Sequence, residues 1–543
     1  MSAVLLIQPP IREFYLTRKR TIPYGLASIA AGLEQEGFTT EIIDALATAK
    51  SKPIDWPKKF HYLTPYYGRA DSTAFSLFHR FRHFGYSHEH LACIIREKQP
   101  MAVGISSLFT AYADQALDTA RAVKKFCPGT IVIMGGHHPT LFPEQTLECE
   151  AVDFVLRGEG EVSMALLCRA LKNKSDQLEK IPGIGFRKEK SFHINEPAWA
   201  EELENLPLPA QNKINWNFYQ RNKKAAITVV ASRGCPFPCS YCSVSALSSH
   251  ARFRRREVPG ILNEIQIQAD HRQIGFIDFE DENLTLDKKW VMELLAGIRK
   301  IFRGKQVELR AMNGLYPPSL DQEIISAMKE SGFKTLNLSL GSFSMAQLKR
   351  FNRPDVRNAH DKALEMAESE GMDAVSYIIG GAPGQTANSS LEDLLMLAQR
   401  RTLAGFSVFY PAPGSRDYGI CQRENILPAS FALMRSTALP LDHTTSRLQA
   451  ATLLRLTRIL NYLKSLVDTV GGQGSSHRHR ISKELVELFF TDGIIRGMDG
   501  KGKVYAHETD PGLTEKFIEH IKQCPVAGVR KGPAHPFQEH GQR

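Results

Sequence analysis

Cys235, Cys239 and Cys242 lie within eight residues, in the string Cys235-Pro-Phe-Pro-Cys239-Ser-Tyr-Cys242, directly after the apolar run from Ala226 to Ala231. Three thiolates this close can seize one metal cluster. With three cysteine ligands and no fourth nearby, a cubane [4Fe-4S] cluster keeps one iron open for a substrate or cofactor, whereas an electron-transfer cluster normally has four. The prolines stiffen the loop, and the gaps of three and two residues let the sulfurs converge on one side of it. A tetrahedral zinc site completed by a histidine such as His250 competes for the same thiols. The lack of a second cysteine pair tells against it.

The string resembles the CxxxCxΦC signature of the radical SAM enzymes, with Tyr241 at its aromatic position. The resemblance implies that S-adenosylmethionine (SAM) chelates the open iron and is split into methionine and a 5′-deoxyadenosyl radical.

The elements that must position this loop fill a chain of 543 residues, too long for one core and enough for roughly two or three domains. Hydrophobic residues make up 43% and charged residues 23%, as in an ordinary globular protein. The apolar start Val4 to Ile7 is too short for a signal-peptide core and no run reaches a membrane span, so the cytoplasm is the expected compartment. Cys93, Cys127, Cys149, Cys168, Cys421 and Cys524 are scattered singly, which argues against a disulfide framework. The net charge of +10 is dispersed, with local clusters at Arg252 to Arg256 and His477 to Arg480, so nucleic acid is not the expected partner. An acidic or phosphorylated substrate fits the same balance.

Residues 1–180 alternate strand and helix patterns: strands at Val4–Gln8, Thr39–Asp44, Ala102–Ser106, Thr130–Met134 and Asp153–Leu156, helices at Tyr24–Glu36 and Ala111–Phe126, and an aromatic, basic insertion from about Ala45 to Gln99. This is a Rossmann-like, doubly wound α/β sheet, whose ligands sit beyond the carboxyl ends of the strands. The short motifs fall there: Pro9-Pro10, Ser106-Ser107, Gly135-Gly136-His137-His138-Pro139-Thr140, and Gly158-Glu159-Gly160-Glu161. Glycines at such ends permit tight turns and close approach of a flat ligand, although an ordinary strand-to-helix connection uses them too. In order and spacing these motifs resemble the cobalamin-binding domain found ahead of many radical SAM domains. The resemblance assigns Pro9, Ser106, Ser107, Gly135 to Thr140 and Gly158 to Glu161 to cobalamin. The chain has no Asp-x-His-x-x-Gly string, so the implied mode leaves cobalt without a protein imidazole.

Residues 181–224 read as a hairpin, Gly183–Arg187 with Ser191–Ile194, followed by a Pro-rich acidic connector. Residues 225–440 repeat strand and helix about six times, with strands at Ala226–Ala231, Ile274–Phe279, Val307–Met312, Thr335–Leu340, Ala374–Ile379 and Phe406–Tyr410. Repeated βα units suggest a barrel with its site at the carboxyl ends of the strands, in agreement with the partial (β/α)6 barrel that the resemblance implies. It also implies SAM contacts at those ends. Asp281 is the first choice for the SAM amino group, with Glu280 and Glu282 as alternatives, while a helix N-cap at Asn283 or Asp287 would use the same loop. Asn313, Ser339, Ser342 and Gly380-Gly381 follow on the third, fourth and fifth strands, Gly341 standing where many relatives carry an acid. Tyr410, Arg416 and Tyr418 could face substrate or pack.

Residues 441–525 read as mainly helical, including an amphipathic helix from Arg447 to Val467, a loop at Gly471–Ser476 and a helix at Ser482–Phe490, and this region is expected to cover the barrel mouth. Residues 526–543 read as disordered. The expected protein is a cobalamin-dependent radical SAM enzyme, a methyltransferase acting at an unactivated centre of a small-molecule or natural-product substrate. One SAM would supply methyl and a second would be cleaved, with electrons from a reductase or flavodoxin-type donor. The alternatives are a non-methylating radical SAM cyclase, oxidase or rearranging enzyme, an RNA methylthiotransferase, and a non-enzymatic sensor.

Overall fold

The computed structural model describes residues 3–16, 21–247, 253–470, 478–479, 489–491 and 494–529. Five parallel strands open the chain: β1 (Ala3–Gln8), β2 (Thr39–Asp44), β3 (Ala102–Ser106), β4 (Ile131–Gly135) and β5 (Phe154–Leu156). Their spatial order is β2-β1-β3-β4-β5. Val4 to Ile7 are buried because helices cover both faces: α1 (Tyr24–Gln35) and α4 (Gly160–Lys172) on one, α2 (His88–Lys98) and α3 (Ala113–Phe126) on the other. The strand order reverses between β1 and β3, which makes the crevice beyond those two strands the ligand site of the sheet. The hairpin β6 (Ile184–Lys188) and β7 (Ser191–Ile194), expected in the connector, extends this same sheet antiparallel from β5, with Phe154 opposite Phe186.

The second unit strings six parallel strands in sequence order: β8 (Lys224–Val229), β9 (Ile274–Phe279), β10 (Glu308–Ala311), β11 (Thr335–Gly341), β12 (Asp373–Gly380) and β13 (Leu403–Val408). Backbone bridges Leu309 to Phe333 and Leu315 to Leu338 join its two halves. Three crossover helices start at a capping side chain in the loop after a strand: Asp287 accepts from Trp290 N, Asp321 from Ile324 N and Thr386 from Ser389 N. β13 begins three residues earlier than the sequence suggests and stops before Pro411 and Pro413, which have no N–H to give a ladder.

The expected C-terminal cover for the mouth is instead an outer wall. Helix α12 (Arg447–Val470) packs Leu453, Leu456, Ile459, Leu460 and Leu463 against Leu391, Leu394 and Leu397 of the helix Ala387–Ala398. It stands beside β13 where a sixth crossover helix would. The region also holds strands, Ile494–Met498 paired with Val504–Ala506, and Val526–Ala527, expected to be disordered, pairs with Arg478–His479. The Gly471–Ser476 loop, most of the Ser482–Phe490 helix and residues 530–543 lie outside the described residues. No helix among the described residues is long and apolar enough to cross a membrane.

Between β2 and α2 the chain makes an excursion, with strands Ser51–Pro53 and Arg82–Phe84 beside Ile11–Glu13. Phe60, Leu63, Tyr67 and Phe81 bury themselves against Ala432, Leu433, Ala438 and Ala450. Buried Glu13 accepts from Arg435 at 2.6 Å, Thr437 at 3.0 Å and Tyr112 at 3.1 Å, and the Arg435 guanidinium lies over the rings of Phe60, Phe81 and Tyr112. Replacing Arg435 with alanine leaves the Glu13 charge buried and unpaired. It should cost about 3–5 kcal/mol, read as a lower midpoint in urea denaturation, whereas a Lys188→Ala change, which removes an exposed ion pair with Glu179, should leave that midpoint nearly unchanged.

Candidate active site

The cysteine loop leaves β8 through Ser232–Arg233, which pairs antiparallel with Arg254–Arg255, and turns at Gly234 with φ +86°. Its root hangs on Asp281, a buried carboxylate that accepts from Ser232 Oγ at 2.5 Å and Ala231 N at 3.3 Å. Its far end is held by two helices, α8 (Met345–Arg350) and α11 (Arg416–Arg423), numbered after the crossover helices α5 (Val258–His271), α6 (Lys288–Ile301) and α7 (Gln322–Ser331), with α9 (Arg357–Ser369) and α10 (Ala387–Ala398) between them. Ser240 N donates to Phe351 O at 2.9 Å, and Asp417 N donates to Ser240 O at 2.8 Å.

Two side chains donate to the sulfurs: Asn283 Nδ2 to Cys235 at 2.9 Å and Arg353 Nη1 to Cys239 at 3.7 Å. Burial pushes the Cys235 thiol up to about 11, and the neighbouring Cys242 and Cys239 push the same way. Three thiolates packed together and away from water repel one another until a cation neutralises them, so this donor set fits an iron cluster. Among the described residues no three His, Cys, Asp or Glu side chains converge as a single-ion site, and His250 lies outside those residues.

Around the loop the strand ends divide into facing and committed groups. Asp281 spends both oxygens on the loop root, and burial raises its carboxyl to about 6. Glu282, half-buried, is pushed up to about 7 by burial and by Asp281 and Glu280, and its charge is felt at Cys235. Its charge therefore reaches the sulfurs, whereas Asp281 supports the backbone behind them. Asn313 is exposed and Ser339 half-buried. Ser342 points away, donating to Asp393 at 2.7 Å. Gly380 is glycine for packing, since a Cβ there would stand 2.4 Å from the ring of Phe406. Gly381, at φ +79°, makes the turn that follows.

Arg353 was not legible as a site residue. It donates to Tyr241 OH at 3.3 Å, Ser339 Oγ at 3.0 Å and Leu340 O at 3.2 Å, tying the cysteine loop to the end of β11. Gly341 makes room for it: a Cβ at that position, φ +89°, would lie 3.3 Å from Arg353 Cδ. The missing acid at position 341 was the available signal.

Across from the loop stands the β1/β3 crevice. Pro9 is buried at the end of β1, and Ser106 and Ser107 end β3, where the buried Ser107 hydroxyl has no hydrogen-bond partner among the described residues. Gly136, at φ +116°, brings the β4 turn against β3: a Cβ would stand 2.6 Å from Ser107 O. Gly135 precedes it, where a Cβ would lie in ordinary contact, 3.7 Å from Leu156 O. His137 is exposed, and desolvation lowers its pKa. His138 is buried against Phe142 and Phe431, pushed down to about 4, and its Nδ1 has no partner among the described residues. Pro139 and Thr140 are buried behind it, Thr140 Oγ1 accepting from Gly158 N at 2.9 Å. Leu108 and Phe109, absent from the sequence expectation, expose 48% and 57% of their surface at this crevice end. An unsatisfied hydroxyl, a close glycine turn and exposed apolar side chains fit a large, flat, partly polar ligand such as a corrin.

The Gly-Glu-Gly-Glu string does different work from the one expected. Gly158 lies against the connector, a Cβ there being 2.1 Å from Ala198 O, and Gly160 starts α4 over Ile29. Glu159 and Glu161 clamp the cysteine loop's Arg233 at 3.2 and 2.6 Å, and Glu159 also takes Arg254 at 2.8 Å. Burial opposes the Glu159 charge, but the Arg254 hydrogen bond and the Arg233 charge outweigh it and hold the carboxyl below its usual range.

Family models agree with this layout: the B12 binding domain matches residues 80–167 and the Radical SAM superfamily residues 229–397. An uncharacterised methyltransferase of Pyrococcus horikoshii is 30% identical over 69% of this chain and 82% of its own length. Cytidylyl-2-hydroxyethylphosphonate methyltransferase of Streptomyces wedmorensis is 26% identical over 80% and 84%. Anaerobic magnesium-protoporphyrin IX monomethyl ester cyclase of Rubrivivax gelatinosus is 26% identical over 59% of each. The structure of the radical SAM methyltransferase TsrM from Kitasatospora setae, solved with cobalamin and a [4Fe-4S] cluster, superposes with a TM-score of 0.58 at 15% identity, covering 80% of this chain and 82% of that one. The chain belongs to the radical SAM enzymes that carry a cobalamin-binding domain.

The raised carboxyl of Asp281 has a measurable sign. Its folded pKa of about 6 exceeds the ordinary aspartate value of 3.8, so between these values the unfolded chain loses the proton while the folded one keeps it, and stability falls as pH rises. The full fall is about 3 kcal/mol, and Asp281→Asn, which stays neutral, should remove it from the urea-denaturation profile between pH 4 and about 6.

Proposed function

We propose that the protein is a methyltransferase that acts at an unactivated carbon or phosphorus centre of a small-molecule substrate. The observation that carries this reading is the Arg233 clamp, which ties the root of the cysteine loop to Glu159 and Glu161 at the start of α4, the helix that packs on the sheet with the β1/β3 crevice. When bound, the cluster with SAM supplies a carbon radical that abstracts hydrogen, and cobalamin supplies methyl. Cys235, Cys239 and Cys242 would hold three irons, and the sulfur-directed donors Asn283 and Arg353 would offset the cluster's negative charge. Glu282, the carboxyl whose charge reaches Cys235, would hold the SAM ammonium. Tyr410 is 40% exposed although burial, followed by the charge of Cys242, raises its phenol pKa, so its proton is held on. Phe142, Phe431, Leu108 and Phe109 would keep water from a radical formed there.

A second reading, a radical cyclase without methyl transfer, is favoured by the cyclase relative. The deciding experiment follows anaerobic turnover by mass: methylation adds one CH₂ unit to product and consumes a second SAM, and cyclisation does neither. Changing any of Cys235, Cys239 or Cys242 to alanine should abolish 5′-deoxyadenosine formation, and retention of that product would overturn the cluster assignment. Glu282→Gln should weaken SAM binding about 10- to 100-fold, the range expected for one charge-assisted hydrogen bond, measured by calorimetry on the reconstituted protein. Asp281→Asn should leave SAM affinity within about threefold.

A further inference from the structure

We propose that the outer face of the cysteine loop is a docking surface for an acidic flavodoxin-type electron donor, received by Lys349, Arg350, Arg416 and Arg423. The proposal rests on the cluster reading above. The outer face of the loop reaches the surface, where Pro236 and Pro238 are exposed. Two helix ends grip this outer face. Asp417 N, in the first turn of α11, donates to Ser240 O at 2.8 Å; Phe351 O, just past α8, accepts from Ser240 N at 2.9 Å. Ser240 is bonded directly to Cys239, so a single hydrogen bond separates the exposed start of α11 from a cluster ligand.

Both helix ends carry exposed cations. Lys349 and Arg350 end α8, and Arg416 and Arg423 lie two turns apart on α11. Arg350 and Arg416 both act on the Asp417 carboxyl, which accepts from Ser240 Oγ at 3.0 Å, so both lie near the Ser240 junction. Among the described residues none of the four cations has a carboxylate in ion-pair range. Asp417 is buried, and burial raises its carboxyl pKa; Glu424 leans toward His443 at 3.8 Å. Arg416 also opens its helix, where a cation opposes the helix dipole, so local stability gives no reason for it. Met345 of α8, 48% exposed, adds an apolar contact beside the cations. With a net charge of +10, the whole molecule draws an acidic partner toward this surface.

The step is a one-electron transfer. The anionic flavin hydroquinone gives one electron to the oxidised cluster and becomes the neutral semiquinone with its proton count unchanged. The same electron then goes to the SAM sulfonium, whose carbon–sulfur bond breaks to methionine and the deoxyadenosyl radical.

The test compares the reconstituted wild type with Lys349→Glu/Arg416→Glu/Arg423→Glu and with the corresponding glutamine variant. Binding of oxidised flavodoxin is measured by calorimetry across a salt series, and reduction of the cluster by flavodoxin hydroquinone by stopped-flow absorbance. The glutamate variant should bind at least about tenfold more weakly at low salt and lose most of the salt dependence, with the glutamine variant between. Iron content and dithionite-driven cleavage of SAM should match wild type. Equal affinity in all three proteins, or wild-type binding indifferent to salt, overturns the docking surface and leaves the cluster reading intact. Salt-sensitive binding by a wild type that holds no iron supports the surface and overturns the cluster reading instead.

Discussion

Everything at the site hangs on a guanidinium held between two carboxylates. Arg233 sits two residues ahead of Cys235, and its partners Glu159 and Glu161 stand at the start of α4, which packs on the sheet that carries the β1/β3 crevice. An ion pair at the surface would be worth little, but this one is largely withdrawn from water and is extended by Arg254 and the Ala200 N–H, so breaking it strands charge. The penalty fixes the spacing between the loop and that sheet. The family's chemistry needs that spacing kept, because a radical formed on one side must meet a group held on the other before water does.

A division of labour follows at the strand ends. Residues nearest the sulfurs in sequence or space are mostly occupied with each other: Asp281 with the loop root, Arg353 with Tyr241 and Ser339, Ser240 with Asp417. Groups left uncommitted are fewer: the buried hydroxyl of Ser107, which has no hydrogen-bond partner among the described residues, and the carboxyl of Glu282, whose pKa burial raises. Rigid support behind a small number of strained polar groups is the arrangement that positions a ligand without a large ordering cost on binding.

Much of this was legible in the sequence, and the parts that were not share a cause. The cysteine spacing announced a cluster because all its ligands are local. β2, β3 and β9 were read to the residue because apolar runs between turn signals are also local. The roles of Glu159 and Glu161 depend on Arg233 and Arg254, which are 72 and 95 positions away, and no local pattern encodes such a pairing. The glycines misled in a consistent way. Gly158 and Gly380 looked like openings for a ligand, but each is filled by another part of the chain, Ala198 or Phe406. A glycine reports that something approaches closely, and the sequence does not say what. Arg353 was missed for the converse reason: its importance lies in the empty position at Gly341, five bonds made possible by a side chain that is absent.

The excursion between β2 and α2 has a consequence for how the molecule comes into being. Its Asp71 is held by His507 and by Arg455, 436 and 384 positions later, and Ser72 bonds to Met498. During synthesis the first sheet can close on local contacts, but this segment emerges early with its aromatic side chains unburied and finds their partners only when nearly the whole chain has been made. Contacts so distant in sequence form slowly, and exposed aromatics in the interval invite association with other chains. The nascent protein thus spends its longest vulnerable period with a finished N-terminal sheet and an unfinished seam, which makes the seam, rather than either half, the step on which yield of the folded enzyme turns.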